Sequence, residues 1–141
     1  MKKKHILIVG LLFFLIGVIS CAPSTKQVMA TSESQVKLRA IQSRAFDTTD
    51  KAKMLRTVIA TLQDLGFVVD KADETLGTIS GTKLDRYALR MTVSVRSRGE
   101  TQLLVRANAQ YNIYAVEDPE PYQQFFDALS KSVFLTAHQV D

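Results

Sequence analysis

The chain has 141 residues with one cysteine, two histidines and no tryptophan, and these scarcities exclude whole classes of chemistry. A single cysteine permits no internal disulfide, so the fold must be held by packing. His5 and His138 stand at opposite ends, and no His/Cys/carboxylate group has metal-ligand spacing. His138, near the C-terminus, is accounted for by a favourable place at a helix end, and alone it cannot serve a Ser/His/Asp set. No glycine-rich phosphate loop and no nucleophile elbow occur. Two carboxylates would suffice for glycoside cleavage, but Asp64, Asp70, Asp73 and Glu74 read as a solvated loop. This inventory predicts a protein that is not an enzyme, with no metal and no cofactor beyond a covalent lipid discussed below.

Long hydrophobic runs are absent except for Ile6 to Ile19, which follows Lys2, Lys3 and Lys4 at the N-terminus. Fourteen helical residues cover about 21 Å, short of a hydrocarbon core of about 30 Å. A permanent membrane span therefore fits poorly, and a buried core helix fits the three lysines no better. The order of basic start, apolar run and small residues is that of a secretory signal. Val18-Ile19-Ser20-Cys21 ends it, and these four residues resemble the lipobox of bacterial lipoproteins. The resemblance implies cleavage before Cys21, a diacylglycerol on its thiol and an acylated new amine. A conventional signal cut elsewhere is the rival reading; it would leave Cys21 as a lone thiol. Three acyl chains make a stable anchor, where one is marginal. Ala22 in place of an aspartate resembles the class sent to the outer membrane, facing the periplasm.

An excess of charge is missing too. The formal +4 includes Lys2, Lys3 and Lys4; without residues 1–20 the remaining 121 residues hold 15 basic and 14 acidic side chains. With charge so balanced and no aromatics interleaved among the arginines, nucleic acid is not an expected partner. The reading divides the chain into a signal peptide (1–20), a lipidated N-terminus with a small, polar tether (21–35) and one globular domain (36–141), long enough to bury a core.

Within the domain, Val36 to Phe46 reads as a first strand with a bulge near Ala40-Ile41. Asp47 to Asp50 offers capping oxygens for a helix whose stripe is Met54, Leu55, Val58, Ile59, Leu62 and Leu65, with Gly66 as its stop. Phe67 to Ala72 and Thr78 to Lys83 read as strands. From Tyr87, apolar Leu89, Met91, Val93 and Val95 alternate with Arg90, Thr92, Ser94 and Arg96. From Leu103 to about Val116, Val105, Ala107, Ala109, Tyr111 and Ile113 alternate with Arg106, Asn108, Gln110 and Asn112. Such alternation suits an antiparallel sheet with one wet face. Asp118 and Pro119 open a last helix with the stripe Tyr122, Phe125, Phe126, Leu129, Val133 and Ala137. The predicted fold is α+β in two layers: about five antiparallel strands with two helices on one face, in the order β-α-β-β-β-β-α.

This order is similar to the helix-grip topology of the lipoprotein subunit of the outer-membrane β-barrel assembly machinery. Leu62-Gln63-Asp64-Leu65-Gly66-Phe67, Arg44 to Thr48, and Leu129 to Leu135 resemble a group of small, poorly characterised Gram-negative lipoproteins. That resemblance implies class and address and transfers no catalytic residue. The candidate surface is the polar sheet face: Arg90, Thr92, Ser94, Arg96, Arg106, Asn108, Gln110 and Asn112. Forked donors among hydroxyls and amides suit a carboxylate, phosphate or sugar-rich polymer. Two functions follow as expectations: a non-enzymatic accessory or scaffold that binds an envelope protein, or a module for peptidoglycan, polysaccharide or lipid using this face or a groove between sheet and helix. An ordinary solvated face is the competing account of the same pattern.

Overall fold

Residues 34–41 are helical (α1), where the sequence predicts the end of the tether (34–35) and the first part of a strand (36–41). The computed structural model describes residues 34–85 and 87–135; Cys21, Ala22, Ala137 and His138 lie outside the described residues. The imperfect alternation that suggested a bulge is helical spacing instead. Leu38 and Ile41, three apart, are half-buried, while Val36 and Ala40 are exposed. Strand β1 is confined to Ser43–Phe46.

After β1 come α2 (Lys51–Asp64), β2 (Val68–Asp73), β3 (Thr78–Asp85), β4 (Tyr87–Arg98), β5 (Gln102–Tyr111), β6 (Tyr114–Ala115) and α3 (Glu120–Leu135). The sheet is antiparallel, in the spatial order β1-β5-β4-β3-β2, with β6 also on β5. The architecture is the expected two-layer α+β, with one more strand and one more helix than predicted. The extra strand arises because the run from Leu103 to Val116 is not continuous. Asn112 takes φ 53° and turns the chain back, so that Tyr114 faces Tyr111. Asparagine tolerates this conformation better than most residues.

Both long helices form where their ends and stripes dictate. The Asp50 carboxylate accepts from the Lys53 backbone N–H at 2.9 Å, and Gly66 leaves α2 with φ 83°. Asp50→Ala removes that acceptor and is expected to lower stability by about 1 kcal/mol, measurable as a shifted urea midpoint. At α3, Pro119 stands one residue before the helix; its carbonyl receives the Gln123 N–H, while Asp118 accepts from the Glu120 N–H. Met54, Leu55, Val58 and Leu62 of α2 join Tyr122, Phe125, Phe126 and Leu129 of α3 in one core with Ile79, Met91, Val93, Val95, Leu103 and Val105 of the sheet. Among the described residues no helix is long and apolar enough to cross a membrane.

One edge of β5 is shared by two short strands, and the interval between them is closed by side chains. β1 covers Leu103 to Arg106, and β6 covers Gln110 and Tyr111. Between them the Ala107 N–H donates to the Gln42 carbonyl, and the Val116 N–H donates to the Ala109 carbonyl. The Ala109 N–H has no strand opposite and donates to the Tyr122 hydroxyl at 3.2 Å. That hydroxyl donates to the Val116 carbonyl at 2.7 Å and accepts from Gln42 Nε2 at 3.3 Å. Tyr122 is fully buried. Its ring fills the core while its oxygen pairs backbone groups that would otherwise be orphaned. Nearby, Arg44 lies 4.9 Å over the Phe126 ring and reaches Asp127 at 3.4 Å.

Candidate functional site

Directly opposed residues in an antiparallel sheet share a face, so the register fixes which side chains line the side away from α2 and α3. Arg90 pairs with Gln110, Thr92 with Asn108, and Ser94 with Arg106. Seven of the eight residues predicted from sequence therefore come together on one surface. Asn112 does not: it occupies the left-handed turn after β5 and leaves the face to Gln110.

The register also adds residues that the sequence reading missed. Thr78, Ser80 and Thr82 of β3 lie opposite Ser94, Thr92 and Arg90. Arg98 follows Arg96 by two positions and shares its face. Leu104 pairs with Arg96 on one side and Ala45 on the other, and Ser43 pairs with Arg106. The signal for Arg98 and Leu104 was present, since both keep the period-two parity of Arg96 and Arg106. The position of Ser43 required knowing that β1 pairs with β5.

Ser94, Arg96, Leu104, Arg106 and Asn108 line a depression of about 270 Å³. Leu104, opposite Arg96 and two residues before Arg106, is the apolar member of that lining. Arg106 is half-buried, and its Nε is shut from solvent without a hydrogen-bond partner. A shielded donor lacking an acceptor is costly. Among the described residues, none of Arg90, Arg96, Arg98 and Arg106 makes an ion pair. Asp70, at the register shift within edge strand β2, accepts from the Thr82 hydroxyl at 2.6 Å.

Among the described residues, two grooves lie where the long helices meet the sheet. One of about 330 Å³ is lined by Leu55, Arg56 and Ile59 of α2 with Ala72 and Ile79 of the sheet. The other, about 250 Å³, lies between the sheet and the start of the final helix, lined by Lys83, Leu89, Tyr111, Asp118, Glu120 and Gln124. The loop carboxylates do not assemble a site. Asp73 accepts from the Leu76 backbone N–H at 2.8 Å and so shapes its own turn. Among the described residues no three His, Cys, Asp or Glu side chains approach closely enough to hold a metal. No family model matches the chain, and no curated protein matches it.

Proposed function

We propose that this chain is a lipid-anchored envelope protein, tethered through Cys21 to the outer membrane and facing the periplasm, that acts as a non-enzymatic scaffold for a protein partner on its polar sheet face. The observation that carries the partner surface is the group of arginines at 90, 96, 98 and 106 on the side of the sheet opposite both long helices. Arginine offers five donors in a fixed fork, suited to carboxylates presented by an acidic or extended segment. The anchor rests on the basic start, the apolar run and Val18-Ile19-Ser20-Cys21.

Photo-crosslinking from Thr92 in intact cells is expected to trap one discrete protein. Replacing Arg90, Arg96 and Arg106 together by alanine should abolish that adduct. Because Arg90 and Arg96 are exposed and Arg106 is only half-buried, the unfolding midpoint should move little, with surface substitutions usually within about 0.5 kcal/mol each. Undiminished capture by the triple variant would discard the face as the partner site. Mass spectrometry of the mature N-terminus reads the anchor separately, as an acylated Cys21.

The depression lined by Arg96 and Arg106 supports a second reading, in which it takes an anionic group of an envelope polymer or lipid. Here wall fragments or lipids alone should raise the thermal midpoint of the purified chain. An unchanged midpoint across those ligands would leave the protein-partner reading.

A further inference from the structure

The two ends of the sheet differ sharply in chemistry. One end carries the β2–β3 and β4–β5 connections, where Asp73, Glu74, Thr75, Arg98, Gly99 and Glu100 are polar or small and stand beside a single exposed leucine, Leu76. The other carries the β3–β4 and β5–β6 hairpins, held side by side by the Asn112 N–H donating to the Ala88 carbonyl at 3.1 Å. There Leu84 is 83%, Tyr87 65%, Ile113 81% and Tyr114 73% exposed, with Tyr111 at 41% beside them. Two neighbouring hairpins thus carry five exposed large apolar or aromatic side chains at one end of the sheet, with Asp85 and Asn112 among them. Turns are ordinarily polar, and scattered apolar residues need no account, but several large apolar side chains exposed on two adjoining hairpins mark a contact surface.

We infer that this tip is a membrane contact, seated at the headgroup level of the bilayer to which Cys21 would tie the chain; the choice of occupant rests on the anchored reading proposed above. Tyrosine favours such a boundary, because its ring is apolar and its hydroxyl stays wet. Leu84 and Ile113, the most exposed of the cluster, supply the aliphatic part that enters the acyl boundary. The chain length permits the geometry. Residues between Cys21 and Ser34 reach about 45 Å when extended. The chain enters the sheet at Gln42, beside Ala107, and Tyr111 lies four residues along the same strand, about 14 Å away. A bilayer holding the lipid is within reach of the tip. The polar sheet face, which runs roughly perpendicular to the tip, would stay in water and open to a partner.

The absence of tryptophan supplies the test. Ile113→Trp and Leu84→Trp each place a sole tryptophan at the tip, and Leu76→Trp places one at the opposite end, where Leu76 is 64% exposed. The full chain, expressed in a Gram-negative host, is reconstituted into phosphatidylethanolamine–phosphatidylglycerol vesicles with brominated acyl chains. Burial of about 5–10 Å into the interface should quench the tip tryptophans at least about twofold and spare the one at position 76. Intact mass of the same samples reads acylation. Acylated Cys21 with an unquenched tip, or equal quenching at all three positions, overturns the tip inference alone. Quenched tip tryptophans on a chain with bare Cys21 overturn the anchor and keep the tip. Bare Cys21 with an unquenched tip overturns both.

Discussion

Tyr122→Ala is expected to lower stability by about 3–5 kcal/mol, the range for emptying a buried aromatic site. The ring is fully buried among the core residues of both layers. Its loss also removes the hydroxyl that serves the Ala109 N–H, the Val116 carbonyl and the Gln42 amide. Domains of this size commonly have only about 5–15 kcal/mol in total, so the variant should be close to unfolding at physiological temperature. Tyr122→Phe separates the two contributions. It keeps the ring and leaves the polar groups unpaired, at a cost of about 1–3 kcal/mol. Urea unfolding of both variants checks the claim. A phenylalanine variant as stable as the parent would mean that the hydroxyl does not close the interval between β1 and β6.

Gly77→Ala is expected to cost about 3 kcal/mol or more, from two separable causes. Gly77 has φ 68°, where an L side chain incurs about 1–2 kcal/mol. A Cβ there would also lie 2.6 Å from the Val95 carbonyl oxygen and 2.6 Å from Lys51 Cε. The lysine can swing away. The carbonyl belongs to central strand β4, whose Val95 N–H donates to the Gly77 carbonyl at 2.8 Å, so relief requires moving a strand. Gly99 supplies the control: its φ is 62° but nothing lies within 4 Å of an added Cβ. Gly99→Ala should therefore cost only the conformational part, about 1–2 kcal/mol. Equal losses at the two positions would show that close approach at Gly77 is unimportant.

The elements legible in the sequence were those whose periodicity is set by burial on one side only. Met54, Leu55, Val58 and Leu62 repeat at helical spacing because α2 rests one stripe on the sheet. Met91, Val93 and Val95 alternate because β4 has core on one face and water on the other. The misreadings came where that logic failed. Residues 36–41 contain too few turns to separate a helical repeat from a broken alternation, and only Leu38 and Ile41 are even half-buried. At the other end of β5, alternation continues through Tyr111 and Ile113, yet Ile113 is exposed. The chain had already turned at Asn112, and an apolar residue on a tip carries the same letter as one in a core.

The candidate face was legible for the same reason as the strands: a period of two assigns residues to faces within a strand without tertiary information. Which strands stand beside one another is a different matter. Parity could place Arg96 and Arg106 each on a polar side, but only the β4–β5 register set Ser94 against Arg106 and Leu104 against Arg96.

By itself the sequence determined the class of the fold, its two long helices, the ends of α2 and the polarity of the faces of β4 and β5, because these depend on neighbours a few residues away. Tertiary structure decided the partition of the β5 edge between β1 and β6, the role of Tyr122 there, the depression around Arg106 and the apolar tip. Each of these joins residues far apart in the chain, up to the 80 positions that separate Gln42 from Tyr122. Local periodicity has no reach over such separations; only the packing of one element on another brings the groups together.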